Sequence, residues 1–300
     1  MSLLIVAPYY NNSHFIPLQM LSFDKYIKDV TWKLLVLDDS TDTTVNCLTG
    51  KKEDIQSVCY SDSRILYEKI PSAIHRGSRD GPTRHRNILN YFYKLLLTKY
   101  KSSFEKLLFF DADMCFTRDV YVTDLMDGCA IAAPRRKQWL GMQQCSPLFK
   151  VFDYLWVHCI FFDLKKVTNL EIIDMSAVPR TTCDSGSMIK KFMIDNPSYT
   201  VKYHTFSTGN ELIEGIDCEF FYDNQLIHFG SGSRWDDGAS TALYISKFNN
   251  FKRIVTEGLS AADEELIRIS NEKTWKPKQT YQLNHPSKYC TDDEFMRFIS

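Results

Sequence analysis

Lys106-Leu107-Leu108-Phe109-Phe110-Asp111-Ala112-Asp113 is the stretch on which the reading of this chain turns. The apolar run after Lys106 is short for a helix and apolar on both faces, as a strand covered by helices on two sides must be. Two carboxylates, two residues apart, follow at its C-terminal end. Open α/β sheets bind ligands at that end of their strands. The spacing lets both side chains approach one ion in a turn, directly or through water. Hard cations such as Mg²⁺ and Mn²⁺ prefer oxygen ligands of this kind and bridge them to phosphate oxygens. Asp-X-Asp alone is common in surface loops, so the strand that delivers it gives it weight.

Upstream the same strand signal recurs. Leu3-Leu4-Ile5-Val6-Ala7 is closed by Pro8, and Lys33-Leu34-Leu35-Val36-Leu37 by Asp38-Asp39-Ser40. Residues 17–29 between them have room for a crossover helix, and Arg64-Ile65-Leu66-Tyr67 is a weaker third strand. Asp80-Gly81-Pro82-Thr83 opens a helix, with proline in the favoured first turn. Ile88, Phe92, Leu95 and Leu96 then mark one apolar face running to about residue 100.

Downstream, Ala130-Ile131-Ala132-Ala133 and Cys159-Ile160-Phe161-Phe162-Asp163 read as strands, with a polar loop beginning at Arg135-Arg136-Lys137-Gln138-Trp139. Residues 184–194 read as a helix, and Gln225-Leu226-Ile227-His228-Phe229 as a last strand before the glycine-bearing loop Gly230 to Gly238. Ser260 with Asp263 has the form of a capping box opening a helical tail. The class is α/β, with a mixed, mostly parallel sheet flanked by helices. Residues 1–250 form the expected catalytic domain and 251–300 a helical extension packed on it.

The composition agrees. Of 300 residues, 44% are hydrophobic and 24% charged, enough for a packed core and too apolar for disorder. A net charge of −1 offers no bulk attraction to nucleic acid or to an anionic membrane. The nine cysteines are odd in number and lack the close spacing of a zinc knuckle or redox dithiol, which points to reduced thiols. No run reaches the roughly 18 apolar residues of a membrane span. The N-terminus enters a strand at once, without the basic and apolar segments of a signal peptide. The expected location is cytoplasmic.

Taken together, Ala7-Pro8-Tyr9-Tyr10-Asn11, Leu37-Asp38-Asp39-Ser40-Thr41, Arg86-Asn87 and Asp111-Ala112-Asp113 resemble, in order and spacing, the GT-A glycosyltransferases, particularly family 2-like members. The resemblance covers about residues 3–235. It implies that Pro8, Tyr9, Asp38 and Asp39 hold the base and ribose of a nucleotide-sugar donor, with Arg86 and Asn87 near the nucleotide. His85 and Ile88-Leu89 flank that pair where the family has small residues. It further implies that Asp111 and Asp113 bind a divalent metal, Mn²⁺ or Mg²⁺, with Asp111 also facing the donor. His228, in Ile227-His228-Phe229-Gly230, resembles the late histidine that many such enzymes add as a metal ligand. Arg234 would grip phosphate from a closing loop, with Trp235 over the sugar. Asp184, in Thr182-Cys183-Asp184-Ser185-Gly186, matches the catalytic base of an inverting transfer, although an aspartate there equally suits a helix N-cap. Arg135, Arg136, Lys137 and Trp139 lie where such folds admit the acceptor. The expected reaction moves a sugar, from a UDP- rather than GDP-linked donor, to a glycan or other hydroxyl acceptor.

Two other readings compete. Haloacid-dehalogenase-like phosphohydrolases also place Asp-X-Asp after an apolar strand and use the first Asp as nucleophile. Their motif opens the domain, whereas here more than a hundred residues of βα pattern precede it. A non-catalytic GT-A module that only binds carbohydrate would have no need of Asp111, Asp113 and His228 together. A nucleotidyltransferase would open with a glycine-rich phosphate loop, and Ala7 to His14 contains no glycine.

Overall fold

The structure, a computed structural model, describes residues 1–75, 81–140, 150–178, 185–204, 206–213, 216–221, 226–230, 241–269 and 288–300. In chain order the elements that position the site begin with β1 (Ser2–Tyr9), α1 (Phe15–Tyr26), β2 (Thr31–Asp38), α2 (Ile55–Cys59) and β3 (Ile65–Lys69). A long helix follows as α3 (Gly81–Tyr91), one π-type turn (Phe92–Leu96) and α4 (Leu97–Tyr100). Next come β4 (Lys106–Phe110), β5 (Met114–Phe116), α5 (Val122–Met126), β6 (Ile131–Leu140), β7 (Lys150–Leu155), β8 (Cys159–Asp163) and α6 (Ile189–Asp195). Strands β9 (Val201–His204), β10 (Phe206–Ile213), β11 (Ile216–Phe221) and β12 (Leu226–His228) precede α7 (Thr241–Glu257). The chain ends with α8 (261–269), β13 (Lys288–Tyr289) and α9 (Asp292–Ile299).

The main sheet runs β13-β7-β6-β8-β4-β1-β2-β3, with β9 also on β6. Strands β3, β2, β1 and β4 are parallel; β8 is antiparallel to β4 and to β6. The architecture is therefore α/β with a mixed, mostly parallel sheet. Alternation along each strand divides the core into two. Leu3, Ile5, Leu34, Val36, Leu108 and Phe110 face the side covered by α1 and α7. Leu4, Val6, Leu35, Leu37, Leu107 and Phe109 face the side covered by α3. Burial on both faces is what the continuous apolar runs require.

A second, four-stranded sheet, β10-β11-β12-β5, is antiparallel and starts from the three residues that follow Asp113. Helix α7 closes over it, with Phe248 and Phe251 edge-on to Phe15 of α1 at ring distances of 5.5 and 5.7 Å. Position 250 falls inside this helix. The Ser260–Asp263 capping box forms as read, with Ser260 N–H donating to Asp263 at 2.8 Å and Asp263 N–H to Ser260 Oγ at 3.2 Å. The final helix is tied to the main sheet by Phe295, buried 5.1 Å from Phe152.

Two expectations change. The polar stretch from Arg135 is strand: β6 continues to Leu140, antiparallel to β7. Its charge is accommodated because Arg135 pairs with Asp153 across the ladder and lies over the Tyr203 ring. The helix expected from 184 begins at Ile189, after a turn over residues 185–188. Among the described residues, Cys59, Cys115 and Cys129 are free thiols. Among the described residues no helix is long and apolar enough to cross a membrane.

The loop after β1 is fastened to α7 by His14, whose Nε2 lies 2.9 Å from the Tyr244 hydroxyl and Nδ1 3.3 Å from Asn46. Burial pushes His14 down to about 4, against a smaller opposing effect of the Asn46 contact. An unfolded histidine titrates near 6.5, so between about pH 6.5 and 4 the unfolded chain binds the extra proton. Stability is then complete above pH 6.5 and lost on acidification through that window. His204, also lowered to about 4 by burial, adds in the same direction. Urea unfolding at pH 7 and pH 4.5 should show a drop that is about 2 kcal/mol smaller in His14→Gln than in the parent. Equal drops would exclude His14 as a contributor.

Candidate metal centre

Strands β1, β2 and β4 are parallel neighbours, so Tyr9, Asp38-Asp39 and Asp111 all emerge at one edge of the sheet. A crossover helix returns antiparallel to its strands, which brings the first turns of α3, with Arg84 and His85, to that same edge. Because β8 runs antiparallel to β4 with Phe110 opposite Cys159, His158 arrives beside Asp111; the Asp111 N–H donates to the His158 carbonyl at 3.1 Å. Because β12 is antiparallel to β5 with His228 opposite Met114, His228 arrives beside Asp113. Phe229 N–H donates to the Asp113 carbonyl at 2.8 Å.

The result is a connected set of acids and imidazoles. His228 Nε2 lies 3.0 Å from Asp113 Oδ1. His158 Nδ1 lies 2.6 Å from Asp111 Oδ2, and His85 Nε2 lies 3.2 Å from Asp111 Oδ1. The His85 and His158 rings stack at 4.8 Å, and His85 Nδ1 lies 3.1 Å from Ser185 Oγ. Burial alone would raise the Asp111 carboxyl; the charges of His158 and His85 outweigh it and hold the group well below the usual carboxylate range.

The Asp111–Asp113 turn is held from beneath. Tyr9 is fully buried and its hydroxyl donates to Gln19 Oε1. Gln19 Nε2 in turn donates to the carbonyls of Asp111, at 2.7 Å, and Met114, at 3.0 Å. Tyr9 thus supports the turn from the core and presents no exposed face to a base. Tyr10, its half-buried neighbour, lies under the Arg84 guanidinium at 4.4 Å. Arg84 donates to Asp39 Oδ2 at 2.7 and 3.0 Å, which fixes that carboxylate at the edge. Asp38 is spent internally: Oδ1 accepts from Ser40, and Oδ2 from Tyr67 and Lys69 at 2.7 and 2.8 Å. Asn87 donates to the Ile74 carbonyl at 3.1 Å, and Pro8 and Arg86 are half-buried. Asp184, Arg234 and Trp235 lie outside the described residues.

The structure therefore brings Asp111, Asp113 and His228 together and adds residues that sequence reading missed: His85, His158, Ser185, Gln19, Arg84 and Tyr10. In the sequence His85 is only a bulky flank to Arg86-Asn87, and His158 stands directly before an apolar run whose direction periodicity does not report.

Whether these residues suit a metal ion can be judged from the site. Asp111 Oδ1 is buried, and its 3.2 Å approach to His85 Nε2 does not have the angles of a hydrogen bond. A buried acceptor left so costs about 1–3 kcal/mol, a cost that a cation would remove. Two carboxylates and one imidazole in Asp111, Asp113 and His228, with ligating atoms within 4.8 Å of one another, are a fitting donor set for Mn²⁺ or Mg²⁺.

No protein-family model and no curated protein matches the chain. Among solved structures it is similar to the galactosyltransferase LgtC in complex with donor and acceptor sugar analogues, at 18% identity over 68% of this chain and 73% of that one, with a TM-score of 0.41. An active-site mutant of LgtC gives 18% identity over 68% and 72%, with a TM-score of 0.39. At that TM-score neither likeness carries an argument, and the function rests on the site.

Proposed function

We propose that the protein is a metal-dependent glycosyltransferase of the GT-A type that transfers a sugar from a nucleotide donor, UDP-linked in preference to GDP-linked, to a hydroxyl acceptor. The observation that carries the reading is the meeting of Asp111, Asp113 and His228, from three separate strand ends, at the carboxyl edge of the parallel β-layer that also carries Asp39. A phosphohydrolase using Asp111 as nucleophile is disfavoured by the two imidazoles that flank both of its oxygens.

In this reading Asp111, Asp113 and His228 hold the divalent ion, Mn²⁺ or Mg²⁺. When bound, the ion supplies positive charge against the diphosphate that departs as the glycosidic bond breaks. Asp39, oriented by Arg84, faces the base and ribose, with Pro8, Arg86 and Asn87 around the nucleotide. Gln19 and Tyr9 keep the Asp111–Asp113 turn from moving as charge develops, an instance of preorganisation. Arg234 takes phosphate oxygens in a charge-assisted fork. Asp184 accepts the acceptor's hydroxyl proton, giving inversion.

A thermal-shift screen of nucleoside diphosphates and sugar nucleotides tests this. Ligand at a hundred times its Kd stabilises the native state by about 2.7 kcal/mol, or roughly 5 °C in a chain of this size. One nucleoside diphosphate should give such a shift only with Mn²⁺ present, and Asp113→Ala should abolish it. A shift untouched by that substitution would place the ion elsewhere.

A further inference from the structure

We infer that the site holds a second divalent cation, bound by His85, His158 and Asp111, with Asp111 bridging it to the ion at Asp113 and His228. The inference stands on side-chain geometry and goes beyond the sugar-transfer reading.

Five side chains converge, and their ligating atoms fall into two sets of three that share Asp111, each set lying within 4.8 Å of one another. Two ligands of one ion can be no farther apart than twice a bond of about 2.0–2.2 Å. That reach is close to the 4.8 Å span, so each set needs at most a small closing shift to hold one ion, whereas the five residues do not make one set. Each carboxylate oxygen of Asp111 is approached by its own histidine, at 3.2 Å by His85 and 2.6 Å by His158. His85 Nε2 and Asp111 Oδ1 are both buried without hydrogen-bond geometry between them, so neither atom satisfies the other. Ser185, 3.1 Å from Nδ1 of His85, fixes the ring so that Nε2 faces inward, the kind of outer contact that orients metal-ligating histidines. The bond from the Asp111 N–H to the His158 carbonyl holds the other two ligands in step.

The two sets differ in chemistry. Asp111, Asp113 and His228 are two oxygens and one nitrogen; His85, His158 and Asp111 are two nitrogens and one oxygen. Imidazole-rich sets favour later first-row ions, Zn²⁺ or Co²⁺, whereas Mg²⁺ prefers oxygen. The second site is thus expected to take Zn²⁺ in preference to Mg²⁺. Two ions bridged by one carboxylate stand about 3.5–4 Å apart, a spacing that one shared Asp permits.

Full-length protein stripped with chelator is titrated with Zn²⁺, desalted and assayed for bound metal. The wild type should retain two equivalents, and His85→Gln and His158→Gln one each. With Co²⁺, the second equivalent should add its own visible absorption band, missing in both variants. If His158→Gln loses its circular dichroism, the partly exposed His85→Gln and the wild-type Co²⁺ spectrum still decide. A wild type that retains one equivalent or none, or variants that retain two, would overturn the inference. Two equivalents in a protein that cleaves no sugar nucleotide would leave it standing and defeat the sugar-transfer reading instead. One equivalent in a protein that cleaves its donor would do the reverse.

Discussion

Asp111→Asn is expected to lower turnover of a nucleotide-sugar donor by about a thousandfold while the protein stays folded. Asparagine keeps the size and planarity of the carboxylate, and its main-chain bonds to His158 and Gln19 do not depend on the side chain. What it loses is charge. Asp111 stands between the two triads, so its replacement weakens the grip on a cation from both sides. A bound cation contributes several kcal/mol to transition-state charge stabilisation, and each 1.36 kcal/mol is tenfold in rate. The measurement is release of the nucleoside diphosphate under saturating Mn²⁺, with circular dichroism as the control for folding. Loss in kcat should exceed any rise in KM, because charge builds on the leaving group only as the bond breaks. Activity within tenfold of the parent would remove Asp111 from the catalytic site and would return weight to a binding-only role.

Much of this site was legible in advance, for a reason that also explains what was not. Strands buried on both faces must be continuously apolar, so β1, β2 and β4 announced themselves, and with them the edge where Asp38-Asp39 and Asp111-Ala112-Asp113 emerge. A continuous apolar run carries no sign of direction. Cys159 to Asp163 reads alike whether parallel or antiparallel, and only the antiparallel register sets His158 against Asp111. Strand β5 is three residues long, too short for any period, yet its pairing with β12 is what brings His228 115 residues back to Asp113. The charged second half of β6 reads as loop in the sequence because Arg135 and Arg136 look solvated. They are carried by partners, Asp153 and the rings of Tyr203 and Trp156, that lie far along the chain. Asp38 and Asp39 look equivalent in sequence, but Tyr67 and Lys69 on the adjacent strand consume the first and Arg84 orients the second.

Gly186→Ala is expected to cost about 4 kcal/mol of folding stability, a large part of the 5–15 kcal/mol that a domain possesses. Gly186 has φ +83° in the turn before α6, a left-handed conformation that costs a residue with a Cβ about 1–2 kcal/mol. The space is also taken: a Cβ built there would meet both Val157 methyl groups at 2.4 Å and the Val157 Cβ at 2.9 Å. Val157 is fully buried and cannot swing aside into solvent. Neither can the turn retreat, because Gly186 N–H donates to the Met175 carbonyl at 2.7 Å and Ser187 Oγ accepts from Val178 N–H at 2.8 Å. Overpacking of this kind adds about 1–3 kcal/mol. Gly50→Ala is the matched control, since Gly50 has φ +66° with nothing within 4 Å, and should show the conformational cost alone. Trimming the neighbour in Gly186→Ala/Val157→Ala should recover part of the loss, a positive coupling in the double-mutant cycle. Val157 immediately precedes His158, so the clash is also transmitted to the histidine that faces Asp111, and Gly186→Ala should weaken metal retention where Gly50→Ala does not. Denaturant unfolding that finds the two alanine variants equally stable would show that the turn yields, and with it the claim that Gly186 holds His158 in place would fall.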